Sequence, residues 1–157
     1  MTAEQVRERL GLRPHPEGGY YVETYRAEER VDFRSLSTAI YYLLTPDTFS
    51  ALHRLRSDEV FHFYLGDPVE MLQLRPDGSA REVVLGSSVL EGTQPQVVVR
   101  KGVWQGLRLR PGGAFALLGT TVAPGFEFAD FELGRRDALV AAYPAHAERI
   151  QVLTREE

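Results

Sequence analysis

The stretch His53 to Gly66, HRLRSDEVFHFYLG, holds a histidine and a carboxylate at a spacing that could do chemistry. Read as strand, turn and strand, it sets His53 and Leu55 on one face and Arg54 and Arg56 on the other, because strand side chains alternate. Ser57 and Asp58 make the turn. Glu59 then opens a second strand in which Phe61, Phe63 and Leu65 share its face, and Gly66 ends it. An imidazole and a carboxylate are thus turned towards an apolar interior, where ionisable groups are costly unless partnered. An imidazole titrates near neutral pH and can act as a general base. The bland alternative is a buried ion pair that only fixes the turn.

These residues need a scaffold, and the punctuation of the chain describes one. Thr2 and Gln5 form a capping box, a short helix spans roughly 3–10, and Gly11 closes it. PHPEGG, residues 14–19, is a turn or an ordered arm suited to crossing to a second subunit. Tyr20 to Arg26 is a strand, and AEERVDFRS after it is a polar surface loop. Strands are then expected over Thr38–Leu44, Phe49–Leu55, Glu59–Leu65, Val69–Leu74, Arg81–Leu85, Gln96–Val99, Val103–Leu109 and Ala114–Val122. Turn signals such as Gly66-Asp67-Pro68, Pro76-Asp77-Gly78 and Pro111-Gly112-Gly113 separate them. Many short strands with regular turns predict a sandwich or small barrel. After the β body, about 20–131, two helices are expected over Asp137–Ala142 and Ala145–Leu153. No repeat or linker divides the 157 residues, so a single mainly β domain is predicted over 1–157.

Composition narrows the function. Charged residues make up 25% and the net charge is −4, without the basic stripe of a nucleic-acid binder. The absence of cysteine excludes disulfides, thiolate metal sites and a thiol nucleophile. No apolar run approaches the roughly 20 residues that span a bilayer, and no secretory leader opens the chain, so a cytoplasmic location is expected.

The same stretch resembles the first cupin motif, with His53, Glu59 and Gly66 at its spacings and Leu55 at the second histidine position. Arg100, Gly102 and Gln105 fall on the second cupin motif, with glutamine in place of histidine. PHPEGGYYVETYR, SDEVFHFYLGDP, KGVWQG and TVAPGFEFADFEL together look like the fifth cupin family, a set of domains of unknown function. The resemblance runs from about Leu10 to Pro144. It implies a double-stranded β-helix, the cupin jelly roll, with a short N-terminal helix and C-terminal helices, often paired as a homodimer.

Three functions follow from that resemblance. Cupins often hold a divalent metal through three histidines and a glutamate, and here His53, Glu59 and Gln105 would be the set of a metal-dependent oxygenase. Leu55 cannot ligate, and His62 faces away from Glu59 in a regular strand, so no cofactor is expected and a divalent metal is the alternative. Sugar-nucleotide 3,5-epimerases are cupins too, and Leu52-His53-Arg54 resembles part of their histidine motif. That resemblance implies isomerase or epimerase chemistry in which His53 removes a proton next to a carbonyl, Glu59 orients the ring or relays charge, and one of Tyr21, Tyr41, Tyr42 and Tyr64 returns the proton. A non-catalytic pocket asks for least: Phe61, Phe63 and Trp104 stack on a small polar, sugar- or nucleotide-like metabolite, and His53, Glu59, His62 and Gln105 give it directional hydrogen bonds.

Overall fold

The computed structural model describes residues 1–156. The first helix, α1 (Ala3–Leu10), is set by its ends. Gln5 N–H donates to the Thr2 hydroxyl, Thr2 N–H donates to the Gln5 side chain, and Gly11 closes the helix at φ +68°. Thirteen strands follow: β1 (Arg13–Pro14), β2 (Tyr20–Arg26), β3 (Arg30–Val31), β4 (Arg34–Ser35), β5 (Thr38–Leu44), β6 (Phe49–Arg54), β7 (Asp58–Gly66), β8 (Val69–Leu74), β9 (Ala80–Leu85), β10 (Gln96–Val99), β11 (Trp104–Leu109), β12 (Ala116–Ala123) and β13 (Glu132–Leu133). Helices α2 (Arg136–Ala142) and α3 (Ala147–Val152) end the chain. The last expected helix is in part a 3-10 turn, Pro144–His146, because Pro144 follows Tyr143 and interrupts the helical ladder.

Two antiparallel sheets carry the fold, ordered β1-β2-β5-β12-β7-β10 and β13-β6-β11-β8-β9. Tyr42, Leu44, Phe61 and Leu118 from the first meet Met71, Val83 and Leu107 from the second in the inner core. Alternation sends Tyr41, Leu43 and Leu117 outwards, where they pack with Val6 and Leu10 of α1. On the opposite side Leu52, Leu72 and Leu74 pack under Leu139 and Ile150 of α2 and α3. Both sheets are therefore covered on both faces, which is why β5 reads YYLL rather than alternating with polar residues.

Two bulges depart from the regular reading. On β7, Leu65 pairs with Leu117 but Phe63 pairs with Leu118, so Tyr64 is an extra residue. The slip turns Leu65 onto the outer face beneath α1, not onto the face of Glu59 and Phe61 as the sequence predicts. On β6, His53 pairs with Gln105 and Ser50 with Leu107, so Ala51 and Leu52 together oppose Gly106. Residues 27–35 also differ from expectation. They contain the β3–β4 hairpin, whose turn residues Asp32 and Phe33 take φ of 50° and 67°, the geometry a two-residue hairpin turn needs. No helix among the described residues is long and apolar enough to cross a membrane.

The loop after β1 lies against β6 at Gly18. This residue has φ +112°, and a Cβ there would overlap the Phe49 carbonyl oxygen, whereas a Cβ on Gly78 at φ +90° meets open space. Gly18→Ala is expected to cost roughly 2–4 kcal/mol in urea unfolding, against about 1 kcal/mol for Gly78→Ala. Equal losses would mean that the loop is not held against the strand.

Candidate functional site

The loop of the β1–β2 hairpin delivers a residue the sequence reading did not select, Glu17. Arg13 and Pro14 pair with Tyr21 and Tyr20, and His15 N–H donates to Gly19 O at 2.9 Å to close the loop. The backbone then anchors to the second sheet. Ala51 N–H donates to Glu17 O at 3.0 Å, Arg155 donates to the same oxygen at 3.2 Å, and the Tyr42 hydroxyl donates to Gly18 O. The Glu17 carboxylate is left beside His53, with Oε2 2.9 Å from Nδ1. The arm completes a site in its own chain.

The β6 bulge explains the state of His53. It leaves the Ala51 carbonyl 2.7 Å from Nδ1, so two acceptors face one ring nitrogen and Nδ1 must carry hydrogen. That hydrogen is directed at the carbonyl. Glu17 Oε2 lies 2.9 Å from the same nitrogen and meets the ring as a charge, with the Ser50 hydroxyl also within reach of the carboxylate. Burial works against a charged imidazole here, but the Glu17 carboxylate, then Glu59 and the Ala51 carbonyl, together outweigh it and raise His53 to about 9. Glu17 is pushed up by its own burial, yet the His53 charge prevails and holds it below the usual carboxylate range. His53 is thus an imidazolium at neutral pH.

Glu59 comes from the opposite sheet and is 7% exposed. Gln105, the Cα partner of His53 in the β6–β11 ladder, donates Nε2–H to Glu59 Oε1 at 2.9 Å and bridges the two sheets. Burial raises the Glu59 carboxyl; His53 lowers it, and the Glu17 charge raises it further, leaving it above the usual range. The two carboxylates consequently differ in kind. Glu17 is the fixed anion of an ion pair, and Glu59 is the one whose proton comes and goes nearer neutrality. His15 adds a neutral ring. Burial lowers it, and its Nδ1 accepts the Glu17 N–H at 3.0 Å, so its 3.5 Å approach to the Glu17 carboxylate is not an ion pair.

These groups line a cavity of about 230 Å³ between the sheets. Its walls add Tyr21, Leu55 and Thr120, and Phe126, Phe128 and Phe131 close one side. Phe131 stacks on His53 at 4.9 Å between ring centres. Of the four candidate tyrosines only Tyr21 lines this space; Tyr42 is buried beneath it, and Tyr41 and Tyr64 meet edge to face at 6.0 Å on the outer side of β5 and β7.

Of the residues the sequence singled out, His53 and Glu59 reach the cavity and Gln105 supports it from behind. Phe61 is in the inner core. His62 points the other way, near Thr121 at 3.2 Å and stacked on Tyr64, because the β7 bulge falls beyond it and leaves its parity unchanged. Trp104 packs with the α2–α3 layer, capped by Arg54 at 4.4 Å. Phe61, His62 and Trp104 therefore do not line the cavity.

A metal set does not assemble from these donors. Leu55 supplies no donor, and Gln105 turns N–H, not oxygen, towards Glu59. Among the described residues no three His, Cys, Asp or Glu side chains are grouped so as to hold an ion. Gln105 and Glu59 are instead joined to each other by a hydrogen bond, and His53 is paired with Glu17.

Two facing antiparallel sheets around a polar hollow make this a cupin jelly roll. The chain belongs to the family described as Cupin superfamily (DUF985), whose model matches residues 4–134. It is 30% identical to the uncharacterized protein YML079W of Saccharomyces cerevisiae over 74% of this chain and 67% of that protein. Among solved structures it is similar to protein SO0799 of Shewanella oneidensis, at 37% identity, TM-score 0.94 and coverage of 100% and 99% of the two chains. A hypothetical protein from Leishmania major is 35% identical, with TM-score 0.93 over 99% and 100%.

The ion pair has a pH signature. A histidine raised to about 9 from 6.5 contributes stability that is complete below about pH 6.5 and is lost as pH rises through 9. The native chain is therefore expected to lose on the order of 2–3 kcal/mol between pH 6.5 and 9.5. In Glu17→Gln that slope disappears, and the His53 ring, followed by NMR, titrates at least one unit lower. An unchanged titration would dissolve the pair.

Proposed function

We propose that the cavity binds a small polar metabolite about the size of one sugar ring, and that Glu59 and His53 move a proton on it in an isomerase or epimerase reaction. The observation that supports this reading is the buried His53 held between two carboxylates of opposite character on the wall of a hollow. At about 230 Å³ the space lies just below the range usual for ligand pockets, so it suits a single ring better than a whole nucleotide. Glu17, a buried carboxylate on the cavity wall, favours a ligand bearing hydroxyl groups.

The roles differ from those expected of the sequence. His53 already holds its proton and is poorly suited to take another. Its partner is Glu17, not Glu59. In the proposed step the ionised Glu59 removes the proton next to a substrate carbonyl. The electron pair of that C–H bond becomes the carbon–carbon double bond of an enolate, the carbonyl pair moves to oxygen, and His53 donates a hydrogen bond to that oxygen. Glu59 returns the proton at the neighbouring carbon or, with Tyr21 as donor, from the opposite side.

The experiment incubates the protein with aldoses, ketoses and keto sugars in heavy water and reads deuterium uptake by mass spectrometry. The native chain is expected to exchange at least one of them, and Glu59→Gln to slow that exchange by 10²–10⁴-fold. A full rate in Glu59→Gln would remove Glu59 as the base. A panel with neither exchange nor a rise in melting temperature, which any ligand of the native state must cause, would overturn the reading.

A further inference from the structure

A second depression of about 560 Å³ adjoins the cavity and shares two of its walls, Leu55 and Phe131. Arg54, Arg56 and Lys101 line it together with Asp130 and Glu132. Both carboxylates are already engaged, Asp130 by Arg34 and Glu132 by Arg54. The Arg56 guanidinium and the Lys101 ammonium have no carboxylate partner among the described residues, so the cleft holds two uncompensated positive charges.

Solvated cations on a surface are ordinary, and two features separate these from the rest. They stand on different turns, Arg56 between β6 and β7 and Lys101 between β10 and β11, and these turns are clamped together. Gly102 N–H donates to Leu55 O at 2.9 Å, and Lys101 N–H donates to the Asp58 carboxylate at 2.8 Å. The charges are therefore carried on a fixed backbone frame. They also flank a concave wall separated from His53 by one side chain, since Phe131 stacks on that ring from the cavity side.

The geometry points to a phosphoryl-binding cleft: Arg56 and Lys101 hold a phosphate or diphosphate group of the same ligand whose polar ring enters the His53–Glu59 cavity. That the two parts belong to one ligand rests on the proposed function above; that the cleft takes a phosphoryl group does not. A guanidinium fork and a mobile ammonium are suited to phosphate oxygens. The placement also accounts for a cavity too small for more than one ring. The charged part of the ligand lies outside it, past Phe131, where it need not be desolvated.

The probe is inorganic pyrophosphate, followed by calorimetry and by the shift in melting temperature. The native chain is expected to bind it, more weakly as salt is raised. The double variant Arg56→Ala/Lys101→Ala should bind at least tenfold more weakly. Both residues are exposed, so the variant is expected to fold, and an unchanged circular dichroism spectrum checks this. Glu59→Gln should bind pyrophosphate as the native chain does, which separates this cleft from the acid–base cavity. No binding by the native chain, or equal binding by the double variant, overturns the proposal even if sugars exchange. A second arm compares a sugar with its phosphate ester. Tighter binding of the ester that the double variant abolishes supports one ligand across both sites, and an ester no tighter than the sugar overturns that link.

Discussion

A carboxylate and an imidazolium 2.9 Å apart, each more than nine-tenths buried, could not persist separately. Taking either charge from water costs several kcal/mol, and removing one partner of such a pair typically costs about 3–5 kcal/mol because the other is left uncompensated. The surrounding structure meets that requirement at specific points. The β6 bulge offers the Ala51 carbonyl to Nδ1 and the Ala51 N–H to the Glu17 main chain. One irregularity in one strand thus fixes the ring tautomer and anchors the loop that brings its counter-ion.

The loop itself is shaped by the same need. To set Glu17 over His53, the backbone passes so close to β6 at Gly18 and to β5 at Gly19 that neither has room for a side chain, and both take positive φ. Arg155 reaches the Glu17 carbonyl from the far end of the chain, its guanidinium 4.6 Å from the centre of the Phe49 ring. Leu52, on the other side of the bulge, donates its N–H to Leu153 O and accepts from Gly134 N–H. The helices that cover the second sheet therefore also stabilise the bulge. Layer packing and site geometry are coupled through three residues of β6.

The sequence made the scaffold legible because its signals are local. Capping at Thr2 and Gly11, the Pro-Asp-Gly turn and the strand runs Thr38–Leu44, Val69–Leu74 and Gln96–Val99 each depend on neighbours a few residues away. Half of the site was legible in the same way, since alternation alone turns His53 and Glu59 inwards. What escaped depends on partners far apart in sequence. Leu65 lost its predicted face to a bulge that carries no glycine or proline to mark it. Glu17 is 36 residues before His53, a separation read directly from the numbering, and only its glycine pair hinted that the backbone must approach something closely. Trp104 and Phe61 were chosen for their rings, but burial in ordinary cores explains both.

The outcome for His53 turns on which carboxylate is its partner. Had Glu59 been the counter-ion, as the short turn between β6 and β7 suggested, one acid and one base would have faced each other and neutralised their chemistry. Glu17 takes that duty instead. It satisfies the imidazolium from the loop side and leaves Glu59, carried on the other sheet and steadied by Gln105, with a raised proton affinity and a place on the cavity wall. Two identical side chains acquire different protonation behaviour because one is paired and the other is only near the pair. Such a separation of roles is what proton transfer on a bound molecule requires, whereas a structural ion pair would need only the first of the two carboxylates.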